Sequence, residues 1–184
     1  TAIDDTLALI QLAARTTGIS EFHWRERRAD PLAQAERLTL GDAFSRYAQI
    51  DLLATLNDAV PDRNALAEAA RRAGIRVADD DTWSDLFSKV LVETIEPHLG
   101  EGRPTVLYEY PAPEAALARL CAHDPRVAER FEIFICGVEL ANGYGELADA
   151  REQRRRFTHA MDEKARLYGV RYPLDEDFLA AMAQ

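Results

Sequence analysis

The run RFEIFICGVELANGYGEL, residues 130–147, constrains the fold of this chain more than any other stretch. Phe131 to Ile135 is rich in aromatic and β-branched residues of the kind that fill strands. Cys136-Gly137 separates it from a second such run, and Gly supplies the positive φ that a two-residue hairpin turn demands. With those two residues at the centre of the turn, Glu132 faces Ala141 and Phe134 faces Glu139. Alternate residues share a face, so Glu132 and Glu139 become diagonal neighbours, roughly 7–8 Å apart. At that separation two carboxylates can converge on one divalent cation.

Asn142-Gly143, followed by Gly145, signals a turn or bulge, and a single bulge there turns later side chains to the opposite face. With it, Glu132, Glu139, Glu146 and Asn142 share one side; without it, Glu146 points away from Glu139. Acidic side chains on a buried face need partners: a metal, a ligand ammonium, or Arg from elsewhere. Alternating Glu is more commonly the solvated face of an antiparallel sheet. Three glycines, Gly137, Gly143 and Gly145, weigh the other way, because they weaken a strand unless something must approach its backbone closely.

The rest of the chain sets the frame. At 184 residues, 47% apolar and 29% charged, it has the size and composition of one soluble globular domain or a little more. No run approaches the ~20 apolar residues that span a bilayer, and TAIDDTLALIQLAARTTG reads as an amphipathic helix rather than a signal peptide. Cys121 and Cys136 suggest neither a disulfide framework nor a zinc site, which fits a reduced, cytoplasmic setting. A net charge of −10 works against nonspecific attraction to nucleic acid or an anionic membrane. No GxxxxGK[ST] or GxGxxG loop is present. The four histidines are scattered, and Arg154, Arg155 and Arg156 fan around a helix as a solvated face would.

The spacing predicts an α+β fold. Residues 1–100 read as mostly helical: a helix over 1–18 ending at Gly18, another through LGDAFSRYAQ opened by Thr39 and Asp42, a third in RNALAEAARRAG closed by Gly74, and a fourth from Thr82 through TWSDLFSKVLVETIEPHLG. SEFHWRERR reads as a single half-buried strand. Residues 101–184 add a strand in RPTVLYEYP, a helix in PEAALARLC with Pro at its start, the two strands of the hairpin, a helix from Asp149 to Gly169, and a last helix from near Leu174.

RPTVLYEYP, then RFEIFICGVELANGYGELADAREQRRRF, then YPLDEDFLAAM resemble the C-terminal part of the class II lysyl-tRNA synthetase catalytic domain. The pattern FExFxxGxELxNGxxEL followed by DAxxQxxRF carries the likeness, clearly over residues 83–184 and more loosely before. Ala115-Ala116 stand where the tRNA synthetases usually carry Ser-Pro, which places the chain nearer the elongation factor P lysine ligases. The resemblance implies an antiparallel sheet flanked by helices and an ATP-dependent ligase that activates lysine or (R)-β-lysine as an adenylate. The acceptor would be a lysine of elongation factor P or, as the alternative, tRNA-Lys; a noncatalytic paralogue is the remaining alternative. It implies that Glu132 and Glu139 bind ATP and Mg2+, that Asn142 and Glu146 line the amino-acid pocket with Glu146 on the substrate ammonium, and that Tyr144 is an aromatic wall. No covalent protein nucleophile is implied, and the full-length form would be a homodimer. The family's phosphate-gripping Arg motif, its Gly-rich Arg motif and its dimer motif have no counterpart in these residues. The expectation is therefore an interior part of a larger enzyme that, alone, neither activates an amino acid nor holds ATP tightly.

Overall fold

Helix α1 (Ala2–Thr17) begins at a capping box, in which Thr1 and Asp4 satisfy each other's backbone N–H groups, and ends at Gly18 with φ 70°. That is the start of a computed structural model describing residues 1–182, in which residues 1–145 form one compact unit and the residues from Glu146 onward another. Two short strands follow, β1 (Phe22–Trp24) and β2 (Arg27–Ala29), paired antiparallel. The single strand predicted over SEFHWRERR is thus a tight hairpin; Arg25, at φ 52°, folds the chain back on itself within it. Strand β3 (Glu36–Thr39) leads into α2 (Leu40–Ala43), where the Thr39 hydroxyl accepts from the Asp42 N–H at 3.0 Å.

α2 continues as a π-helical turn, Phe44–Ala48. Beyond the small hairpin of β4 (Leu56–Asn57) and β5 (Val60–Pro61), helix α3 (Arg63–Arg72) is capped by Asp62 and buries Leu66, Ala67 and Ala70. Helix α4 (Trp83–Val90) is capped by the Thr82–Asp85 box and buries Trp83, Leu86, Phe87 and Val90. Their i, i+3, i+4, i+7 spacing is the apolar stripe of a helix lying on a core. A second π-helical turn, Leu91–Ile95, extends α4.

The main sheet has the order β3-β6-β7-β8, with β6 (Thr105–Pro111), β7 (Val127–Ile135) and β8 (Val138–Tyr144) antiparallel and β3 parallel to β6 at the edge. One face carries Leu38, Leu107, Tyr110 and Phe134 against α2, α3 and α4; Phe44 stacks on Phe87 at 5.3 Å within that core. Each fully buried Leu or Phe there contributes about 1.5–3 kcal/mol. The other face carries Val106, Phe131 and Ile133 beneath Ile3, Leu7 and Ile10 of α1. The fold class is α+β, as the sequence implies, with helices on both faces of the sheet.

PEAALARLC does not form the expected helix. Only the 3-10 turn Ala112–Glu114 forms, Ala116 takes φ 50°, and the backbone then bonds sideways. The Arg119 N–H donates to the Gly145 carbonyl at 2.8 Å, its carbonyl accepts from Glu129 at 2.9 Å, and Leu120 bridges to Ala128. Tertiary hydrogen bonds along β7 replace the helical ladder, and Ala115 and Ala118 pack on Ala128.

In the second unit, α5 (Ala150–Tyr168) is capped by Asp149 and ends at Gly169 with φ 68°, and α6 (Glu176–Met182) follows. The expected last helix extended beyond residue 182, and that part lies outside the described residues. Phe157 and Phe178 meet at 6.1 Å, and Arg154 pairs with Glu176. Among the described residues no helix is long and apolar enough to cross a membrane.

Candidate active site

The hairpin turn is Cys136-Gly137, at φ 55° and 72°, the doubly positive geometry of a two-residue turn that follows the sheet twist. Phe134 pairs with Glu139, as the sequence predicts, but Ile133 then pairs with Ala141 and Glu132 with Asn142. The extra residue is Leu140, so the bulge lies before Asn142-Gly143 rather than at it. A bulge of this kind needs no glycine, and the glycines have other reasons. A Cβ on Gly143 would fall 2.6 Å from Phe131 Cζ, and one on Gly145 would fall 2.5 Å from Glu129 Oε2. What approaches the backbone closely is the protein's own side chains.

The bulge at Leu140 puts Glu132, Glu139 and Asn142 on one face, and Tyr144 follows in the same row opposite Arg130. Asn142 Nδ2 donates to Glu132 Oε1 at 3.1 Å and to Glu139 Oε1 at 3.3 Å. Glu132 lies in the row that faces the helical core, opposite Leu107, and is only 6% exposed. Glu139, Asn142 and Tyr144 are exposed. Glu146 opens the second unit, where it is an exposed residue.

Three further residues complete the site, none of them singled out by the motif. Arg130 donates from Nη2 to Glu132 Oε1 at 2.9 Å and from Nη1 to the Glu114 carbonyl at 2.9 Å, and its Cζ lies 4.4 Å from the centre of the Tyr110 ring. β7 sets two residues, Glu129 and Arg130, against the single Glu109 of β6, which holds φ 59°; such an irregularity re-aims a side chain. The Tyr110 hydroxyl is buried without a well-formed hydrogen bond, and burial, then the Glu132 charge, push its pKa up. Burial also raises the Glu132 carboxyl, the Tyr110 hydroxyl opposes the rise, Glu139 adds to it, and Arg130 opposes it as well. Glu96, in the 3-10 turn Glu96–His98, is raised by burial and then by the Glu139 charge. Arg130 was legible as a basic residue two positions from Glu132; nothing local pointed to Tyr110 or Glu96.

The donor set suits a hard cation. Among the described residues no three His, Cys, Asp or Glu group into a metal cage, so an ion here would rest on Glu132 and Glu139 with substrate oxygens completing its shell. Magnesium is held that way, by one or two carboxylates plus phosphates and water. A cavity of about 440 Å³ opens on the α1 side of the sheet, lined by Thr1, Ile3, Tyr108, His123, Phe131 and Tyr144 among others; Glu132, Glu139 and Asn142 do not line it.

Residues 11–183 match the model of the class II tRNA synthetases (D, K and N). The chain is 41% identical over 150 residues to the elongation factor P–(R)-β-lysine ligase of Proteus mirabilis, covering 80% of the chain and 44% of that protein. It is 39% identical over 151 residues to the ligase of the same name from Salmonella paratyphi B, covering 81% and 45%. The chain thus spans less than half the length of the curated relatives it matches.

Proposed function

The chain belongs to the class II tRNA synthetase (D, K and N) family, and we propose that it is the carboxylate-bearing part of a ligase that activates (R)-β-lysine or lysine with ATP and passes it to a lysine of elongation factor P. The names of the relatives support a ligase. The observation that carries the reading is Asn142, whose one amide joins Glu132 and Glu139 on the face of a hairpin that also presents Tyr144.

In this reading Glu132 and Glu139 would hold Mg2+, and through it the ATP phosphates. When bound, the ion supplies charge neutralisation and polarisation at the phosphoryl oxygens. The amino-acid carboxylate attacks the α-phosphorus, pyrophosphate leaves, and the acceptor amine then attacks the acyl carbon and releases AMP. Asn142 orients both glutamates, Tyr144 walls the amino-acid pocket, and Glu146 meets the substrate ammonium. Rate comes from positioning and charge, with no protein nucleophile. The working form in this proposal is a homodimer.

The test uses the full-length protein. ATP–pyrophosphate exchange is expected with (R)-β-lysine or lysine, followed by labelling of elongation factor P. Glu139→Gln should lower exchange at least a hundredfold and leave the melting temperature within about 2 °C, since exposed positions tolerate such changes. Charging of tRNA-Lys in place of elongation factor P would assign the synthetase reaction, and absence of exchange with either amino acid would defeat both.

A further inference from the structure

Glu132 is held by a residue that no functional motif includes. Arg130 is only 22% exposed at its side chain, and its guanidinium is fixed on three sides: by the Glu114 carbonyl at Nη1, by Glu132 Oε1 at Nη2, and by the Tyr110 ring beneath it. A planar fork pinned at one end and stacked on a ring leaves its other end a single position. Asn142 donates to the same oxygen from across the sheet. Both donors use Oε1 and hold that oxygen from two neighbouring strands.

We infer that Arg130 is a positioning residue that fixes the rotation of the Glu132 carboxylate, and so sets the affinity of the site for a divalent cation. This rests on the reading of Glu132 and Glu139 as the cation-holding pair. Arg130 acts through Glu132 and Tyr110 rather than on the reacting atoms. A point charge would balance Glu132 but could not span the Glu114 carbonyl and Oε1 while stacking on Tyr110, so lysine is not a substitute.

In the full-length protein, Arg130→Lys should raise the Mg2+ concentration that half-saturates ATP–pyrophosphate exchange at least tenfold, with kcat at saturating Mg2+ within about threefold. Mn2+ titrated by electron paramagnetic resonance in the presence of a non-hydrolysable ATP analogue should lose affinity by a similar factor. Tyr110→Leu, which removes the ring and leaves both hydrogen-bonding partners, should shift both readouts the same way by about threefold. Wild-type Mg2+ and Mn2+ dependence in either folded variant overturns the inference and leaves the proposed function standing. A wild-type protein that neither binds Mn2+ nor carries out exchange overturns the reading of the carboxylate pair, and the inference with it.

Discussion

Asn142 stands directly opposite Glu132 across the β7–β8 pair and donates to it at 3.1 Å, while the same Nδ2 reaches Glu139 at 3.3 Å. One neutral amide therefore sets the spacing of two carboxylates that repel each other. A hydrogen bond to a charged group is worth about 1.5–3 kcal/mol, or roughly ten- to a hundredfold in rate. Asn142→Ala is expected to lower kcat/KM for adenylate formation in the full-length protein by about that factor. Asn142→Asp should be worse, because it places a third negative charge against the other two. Exchange kinetics that rank Asp equal to or better than Ala would contradict this geometry.

The hairpin turn is tied down from Gly100, whose carbonyl accepts from the Cys136 N–H at 2.7 Å and whose N–H donates to Thr105 Oγ1 at 3.0 Å. At φ 72°, a Cβ on Gly100 would lie 2.6 Å from Ile135 Cα and 2.7 Å from Phe134 C, whereas Gly102, at φ 75°, has nothing within 4 Å. The two glycines share a positive φ and differ in crowding. Gly102→Ala should cost about 1–2 kcal/mol, the strain of a left-handed non-glycine residue. Gly100→Ala adds a clash with backbone that cannot rotate away and should cost about 3 kcal/mol or more. Urea unfolding of the two variants measures the difference, and equal midpoints would refute it.

In the second unit Glu152 accepts from Arg155 at 2.7 Å and from Arg156 at 2.9 Å. Arg155 first, then Arg156, hold its carboxyl down at about 2, against an ordinary value of 4.5. A depressed folded value means that the pairing stabilises the fold above about pH 4.5 and is lost as the pH falls toward 2. Glu152→Gln is expected to lower stability at pH 6, and the gap from wild type should narrow steadily between pH 4.5 and 3. Circular dichroism melts across that range give the comparison; a gap that widens on acidification would reverse the assignment.

What was legible locally was legible for local reasons. Thr39 with Asp42, Thr82 with Asp85, and Asp149 begin helices because each side chain satisfies N–H groups two or three residues away. Gly18 and Gly169 end helices, and Cys136-Gly137 turns the hairpin, because positive φ is a property of one or two residues. PEAALARLC misled because its partners, Gly145 and Glu129, lie outside the segment, and their carbonyl and N–H override the strong local helix propensity of its Ala, Leu, Glu and Arg residues.

The sequence by itself determined that Glu132 and Glu139 belong to one hairpin and fall on one face, since strand alternation and a two-residue turn leave that little freedom. Tertiary structure decided the rest. It placed the bulge at Leu140, brought Asn142 opposite Glu132, sank Glu132 into the row facing the helical core, and clamped it with Arg130 over Tyr110. It also set Glu96 near enough for Glu139 to raise its carboxyl. Register, burial and charge proximity are set by which distant surfaces pack together, and no window of neighbouring residues contains that information.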